Sequence, residues 1–337
     1  MSLQSKQYSK KQIDRAGKTL ADVSIRTLSD LLADKNITQE EIEEAFFILN
    51  GWRAAHITPL NTIASAFTST NPNAIVVQRL KRLDSIIGKL RRFPQMNLSK
   101  MQDLGGCRII LDSIEQVYES VSNHKSSSTL YTLKKENDYI QNPKTSGYRS
   151  YHMVYQSNDS KLIEIQFRTQ LQHLWATAVE IMGTYTSTDL KASVGRKDVL
   201  RFFLLVSSLF ALKEGTPVCP NTSSNPNELI AEIKEIDNQF HILETLSKMA
   251  VKFNSFNKSE GYYLMELDII TYKLTIDYFT MNQIEEAVQL YNHMESLQIP
   301  IFNTVLVSAS SFDTLKRAYP NYFLDVTQFI TIMKELL

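Results

Sequence analysis

The sequence has no net charge. Its 36 Lys and Arg balance its 36 Asp and Glu, so no global field draws in nucleic acid or a membrane surface, and anion binding has to come from local patches. Cysteine is scarce. Cys107 and Cys219 lie far apart, with no metal-ligand spacing, which predicts free thiols in a reducing compartment. No apolar run approaches the ~18 residues of a spanning helix, and the opening MSLQSKQYSKKQ has no apolar signal core. These absences predict a cytoplasmic chain with no membrane contact. No internal repeat is visible. What is present is 337 residues of ordinary composition, 43% hydrophobic and 21% charged, long enough for two domains.

Periodicity divides the chain. Apolar positions at helical spacing run through 11–34 (Ile13, Leu20, Val23, Leu28, Leu31, Leu32). Thr38 and Glu41 have the spacing of a capping box for a second helix, which Pro59 interrupts. NPNAIVVQRLKRLDSIIGKLRRF predicts a third helix with Pro72 in its first turn. GCRIIL then reads as a strand, SIEQVYESVSNH as a helix, and TLYTLKKENDYI, YRSYHMVYQS and KLIEIQFRT as three strands. QLQHLWATAVEIMGTY returns to helical period. The expected fold class is α+β, a mixed sheet flanked by helices. Residues 1–72 form a helical N-terminal extension, 73–214 the central domain, 215–227 (GTPVCPNTSSNPN) a linker, and 228–337 a smaller C-terminal α+β domain. The last begins with a helix over 228–249 and closes on a helical pair.

Several clusters carry chemistry. On the predicted third helix, Lys81, Ser85 and Lys89 share one face, with Arg79 to one side and Leu80, Leu83, Ile87 and Leu90 opposite. Taken alone, this is the solvated face of an amphipathic helix. Taken with its neighbours, it is a hydroxyl and two ammonium groups aimed at a polyphosphate. In MQDLGGCRII, Asp103 precedes two glycines and a strand. It is either a turn aspartate or a carboxylate able to hold Mg2+ near phosphates, while Arg108 offers a planar guanidinium to a base. In LIEIQFRT, alternation puts Glu164, Gln166 and Arg168 on one face and Ile163, Ile165 and Phe167 on the other. Glu164 suits a second metal ligand or a general base. In NPKTSGYRSYH, Gly147 permits a sharp turn, Tyr148 offers a stacking ring, and Lys144, Arg149 and His152 supply charge or donors. His56, His124, His173, His241 and His293 have no ligand spacing. Trp175 is expected in the core, and His173 either in helix packing or in the site.

These clusters, in this order, resemble the RelA/SpoT synthetase family. Arg79, Lys81, Ser85 and Lys89 match its Arg-x-Lys-x-x-x-Ser-x-x-x-Lys. Asp103, Gly106 and Arg108 match Asp-x-x-Gly-x-Arg, and DYIQNPKTSGYRSYH (138–152) and Glu164, Gln166, Arg168 and Thr169 match the remaining motifs. The resemblance implies a nucleotidyltransferase-like fold and transfer of pyrophosphate from ATP to a ribose 3′-hydroxyl. Arg79 and Arg108 would sandwich adenine, and Lys81, Ser85 and Lys89 would hold the triphosphate. Asp103 and Glu164 would carry Mg2+, and His152, Gln166 and Arg168 would join Glu164 as catalytic residues. Tyr148 would stack the acceptor base, with Lys144 and Arg149 beside it.

No His-Asp dipeptide occurs, so the hydrolase half of the family's long members is not expected. Where alarmone synthetases usually carry Lys or Arg before Asp-Tyr-Ile, this chain has Asn137, after Glu136. That weakens the grip on the 5′-diphosphate of GDP more than on a tRNA 3′ end, although Lys134 and Lys135 lie nearby. Tyr319 and Tyr322 form a Tyr-x-x-Tyr motif in the C-terminal domain. They are two ordinary tyrosines or, by resemblance to the CapRel type of fused toxin–antitoxin protein, a plug that blocks the ATP site until a phage protein binds. That resemblance implies a phage-defence toxin that pyrophosphorylates the tRNA CCA end. The alternative is a (p)ppGpp or (p)ppApp synthetase acting on a guanosine or adenosine nucleotide.

Overall fold

The β-branched run Ile75-Val76-Val77 forms a strand, not the start of a helix. In the computed structural model, which describes residues 8–23, 37–70, 74–127, 131–186, 188–248, 259–297 and 301–337, strand β1 (Ile75–Leu80) precedes helix Leu83–Arg92. The predicted third helix is therefore corrected over 75–82, because pairing of β1 with Gly105–Leu111 (β2) takes up its backbone groups. Its proposed start at Pro72 lies outside the described residues, as does the end of the first predicted helix. The Thr38–Glu41 capping box is present and opens helix Gln39–Ala54.

Thr132–Asp138 (β3), Tyr151–Gln156 (β4) and Leu162–Thr169 (β5) are the three expected strands. With Gly261–Asp268 (β6), Leu274–Phe279 (β7) and Phe302–Ala309 (β8) they make one sheet of eight strands among the described residues, in the order β3-β4-β5-β2-β1-β8-β6-β7. Only β2 and β5 run parallel; the other pairs are antiparallel. The α+β mixed sheet flanked by helices is thus as expected. The C-terminal strands extend the sheet directly, β8 pairing with β1 through Gln78–Ser308 and Arg79–Val307. The predicted helix over 228–249 breaks into Pro226–Phe240 and Ile242–Lys248, because His241 takes a left-handed conformation, φ 51°.

Alternation gives the sheet two faces. Cys107, Ile109, Ile163, Ile165, Phe167 and Met153 pack under Leu60, Ile63 and Phe67 of helix Ile57–Thr70. On the opposite face, Val77 and Ile110 join the core formed by helices Gln170–Thr186 and Lys197–Lys213 and the C-terminal residues Tyr319, Tyr322 and Phe329. Trp175 is core, its indole N–H donating to the Phe203 carbonyl at 2.7 Å. Cys107 and Cys219 are free and buried. The 215–227 segment packs down: Cys219 and Thr216 are buried, and the Cys219 N–H donates to Ser208. Among the described residues no helix is long and apolar enough to cross a membrane.

Candidate active site

Register brings together side chains from four strands, β1, β2, β5 and β4. Arg79 lies opposite Gly106, Gly106 opposite Glu164, Arg108 opposite Gln166, and Gln166 opposite His152. Cross-strand partners share a face, so Arg79, Arg108, Glu164, Gln166, Arg168 and His152 line one side of the sheet. Gly106 leaves the space between Arg79 and Glu164 open, as a Cβ there would meet nothing closer than 3.9 Å.

Beyond the strand ends stands Asp103. Its oxygens accept from Lys81 at 3.0 Å and Lys89 at 2.9 Å. Burial pushes its pKa up, but the two ammonium groups outweigh that and hold it below the usual carboxylate range. Lys81 sits in the turn before helix Leu83–Arg92, its N–H donating to Leu104 at 2.8 Å, while Ser85 and Lys89 lie one turn apart on that helix. Lys81 and Lys89 converge on Asp103, though not from one helix face, since Lys81 precedes the helix.

Glu164, Gln166, Arg168, Tyr148 and His152 form a closed circuit. The Tyr148 hydroxyl is 2.8 Å from His152 Nε2, and His152 Nδ1 is 3.1 Å from Glu164. Gln166 donates to Glu164 at 2.7 Å, and Arg168 donates to Gln166 at 2.9 Å and to the Tyr148 hydroxyl at 2.6 Å. Burial opposes ionisation of Glu164, yet the hydrogen bond and charge of His152 bring its pKa down to about 2. Burial likewise opposes the Tyr148 phenolate, and Arg168 and His152 outweigh it, lowering that pKa to about 7. Asp103 also feels Glu164 as a like charge.

Two acceptor-side expectations need correction. Arg149 is turned away, its guanidinium donating to the Ser207 hydroxyl (3.0 Å) and to the carbonyls of Ile140 (2.9 Å) and Pro217 (2.7 Å). It ties the loop to the 215–227 segment through Pro217 and Cys219. Tyr148 is 7% exposed, with Lys144 at 5.0 Å and Arg168 at 5.0 Å from its ring, so it offers no open face in this state. Gly147 sets this loop. Its φ is +88°, and a Cβ there would lie 3.1 Å from both Ser207 and Trp175. Gly147→Ala is expected to cost about 2–4 kcal/mol, from left-handed strain plus overpacking. Chemical denaturation followed by Trp fluorescence checks this, and a loss under 1 kcal/mol would contradict it.

Tyr319 and Tyr322 reach the same face. Tyr319 is 2% exposed, with the Arg108 guanidinium 5.5 Å from its ring centre, and Arg108 donates to the Ala318 carbonyl at 3.0 Å. Burial works against the charge on Arg79, but Tyr319, Glu180 and Tyr322 around it keep its pKa above the ordinary value. Burial brings Arg108 down to about 10. His173 belongs to the site wall, with Nε2 donating to the Arg317 carbonyl at 3.0 Å.

Sequence reasoning passed over Glu180. It pairs with Lys191 at 3.2 Å, and desolvation, which raises its pKa, is outweighed by the charges of Lys191, Arg108 and Arg79, which bring it to about 2. The available signal was a run of polar residues, Gln172, His173, Thr177 and Glu180, on an otherwise apolar helix.

Among the described residues no group of three or more His, Cys, Asp or Glu is placed to hold a metal. The ionised carboxylates of Asp103 and Glu164 have the donor chemistry for Mg2+, which commonly takes one or two carboxylates and completes its shell with substrate phosphates and water.

Residues 78–189 match the family model described as a region found in RelA / SpoT proteins. Over 119 residues the chain is 36% identical to GTP pyrophosphokinase YjbM of Bacillus subtilis, covering 32% of this chain and 54% of that protein. It is 34% identical to GTP pyrophosphokinase YwaC of the same organism, covering 32% and 56%. The chain thus spans about half the length of these curated relatives. The crystal structure of small alarmone synthetase 2 from Bacillus subtilis aligns with 50% of this chain and 92% of its own, at 25% identity and a TM-score of 0.42.

Proposed function

We propose that the chain is an ATP-dependent pyrophosphokinase whose donor site is closed by its own C-terminal turn. The observations that carry this reading are the pairing of Asp103 with Lys81 and Lys89 and the hydrogen-bonded circuit that holds Glu164. The match to the RelA/SpoT region and relatives named as GTP pyrophosphokinases support it. Arg79 and Arg108 take adenine, and Lys81, Ser85 and Lys89 take the triphosphate. The acceptor 3′-oxygen bonds to the β-phosphorus, the bond to the α-phosphate bridge breaks, and AMP leaves with the electron pair. Glu164, ionised and oriented by His152 and Gln166, accepts the hydroxyl proton. Mg2+ held by Asp103 and Glu164 would neutralise phosphoryl charge. The remainder is positioning.

The acceptor reading is the tRNA CCA end. Its support is local charge: Glu136 pairs with Lys125 and accepts from Tyr151 at 2.9 Å, and Asn137 is uncharged, so on this strand a 5′-diphosphate has only Lys134 and Lys135, farther from Asp138, to hold it. The second reading, a guanosine or adenosine nucleotide, draws support from the names of the relatives. In the tRNA reading the chain is a phage-defence toxin, with residues 228–337 as built-in antitoxin. A phage protein opens the donor site by binding the open state more tightly. The test is γ-labelled ATP incubated with deacylated tRNA or with GDP, using Tyr319→Ala/Tyr322→Ala protein. Label on tRNA is expected. Label on GDP alone favours the second reading, and transfer to none of tRNA, GDP, GTP and an adenosine nucleotide, each offered in turn, sinks both.

A further inference from the structure

Arg53 is the largest side chain that the described fold buries completely. It ends helix Gln39–Ala54, well before the motif-bearing segment. Its guanidinium donates to Glu295 of helix Ile284–Ser296 and to Asn292 at 2.6 Å, to Asn50 at 3.1 Å, and to the Lys81 carbonyl at 3.3 Å. It lies 4.6 Å from the centre of the Tyr291 ring. The other oxygen of Glu295 accepts the N–H of Leu83 at 2.9 Å. That N–H opens the helix carrying Ser85 and Lys89, and a helix leaves its first N–H groups unpaired. Arg82, at the N-cap, supplies no side-chain capping bond; its guanidinium donates instead to Asn303 at 2.5 Å.

One carboxylate therefore answers a buried guanidinium and caps the donor helix, while the guanidinium fixes the carbonyl of Lys81. A buried ion pair is weak evidence for stability, since apolar residues of similar volume often serve as well. An apolar pair would fill the space, but it would leave the Leu83 N–H and the Lys81 carbonyl unheld.

We infer that Arg53 and Glu295 are positioning residues for the donor site, fixing the turn from which Lys81, Ser85 and Lys89 reach the triphosphate. The inference rests on the pyrophosphokinase reading. It gives residues 228–337 two opposed roles. The 318–322 turn covers Arg108, while helix Ile284–Ser296, beside strand β8 on β1, builds the phosphate grip. Activation then displaces the turn and leaves the helix docked.

The test uses full-length Tyr319→Ala/Tyr322→Ala protein as parent, with Glu295→Ala, Glu295→Gln, Arg53→Lys and Arg53→Met/Glu295→Met added. ATP affinity is read by equilibrium dialysis, kcat by pyrophosphate transfer, and folding by thermal melting. Glu295→Ala is expected to weaken ATP binding about tenfold with kcat within about twofold of the parent. Glu295→Gln, which keeps an acceptor for Leu83, recovers part of that affinity. Arg53→Met/Glu295→Met, which packs without polar bonds, melts near the parent and still binds ATP weakly. Unchanged ATP affinity in a well-folded double Met variant overturns the inference. So does Glu295→Ala raising activity in the background that retains both tyrosines, which would make the pair a latch. A parent that transfers nothing but loses ATP affinity on Glu295→Ala refutes the transfer reading and upholds the positioning role, whereas absence of ATP binding in every variant ends both.

Discussion

Glu164→Gln is expected to lower pyrophosphate transfer by about a thousandfold, within the 10²–10⁴-fold range of a positioned proton acceptor, while leaving the melting temperature close to that of the parent. The argument is geometric. Glu164 is held by His152 at 3.1 Å and Gln166 at 2.7 Å, bonds that keep it ionised and aimed. Glutamine preserves volume and one acceptor but removes the charge, the basicity and any cation binding at that point. Its single amide oxygen can face Gln166 or His152 but not both, so one of the two bonds is lost or reversed. The measurement is the initial rate in the Tyr319→Ala/Tyr322→Ala background at saturating ATP and acceptor. A variant that keeps a tenth or more of the rate removes Glu164 from the chemistry and leaves it as a strut in the circuit. Asp103→Asn separates the roles further. Without its carboxylate Lys81 and Lys89 are released, so weakened metal dependence with ATP affinity kept is the signature expected there.

Much of this site was legible because strand alternation is a local property. LIEIQFRT has one core face and one chemical face, and Glu164, Gln166 and Arg168 do share a face while Ile163, Ile165 and Phe167 are buried. The misread segment, 75–82, is one where two periods compete. Lys81, Ser85 and Lys89 fall at helical spacing, while Ile75-Val76-Val77 just before them is a run whose β-branched side chains suit a strand. Arg149 was misplaced because sequence adjacency to Tyr148 says nothing about direction. The chain turns at Gly147, and the guanidinium goes inward to Ser207. The pairing of β8 with β1 and the Arg53–Glu295 contact, 242 residues apart in sequence, leave no local trace, because register between distant segments is decided by packing.

Tyr319→Ala with Tyr322→Ala is expected to raise transfer by the otherwise native full-length chain about a hundredfold or more, with no partner added. Both tyrosines are buried, their rings 6.4 Å apart, and Arg108 reaches the turn twice, through the Tyr319 ring and the Ala318 carbonyl. A hundredfold shift between closed and open states needs about 2.7 kcal/mol. Deleting one buried aromatic side chain typically costs ~3–5 kcal/mol, so the double change exceeds what is required even if much of the cost falls on the shared core. The cation–π contact supplies ~0.5–2 kcal/mol of the closure, too little to hold the turn alone, so apolar burial of the two rings is the larger part. Tyr319→Phe keeps that burial and the ring against Arg108, and it is expected to remain silent. Thermal melting guards against misfolding as a cause. A double variant that melts within a few degrees of the native chain yet transfers no more label refutes closure by this turn, and a Tyr319→Phe protein as active as the double variant moves the closing force from the ring to its hydroxyl.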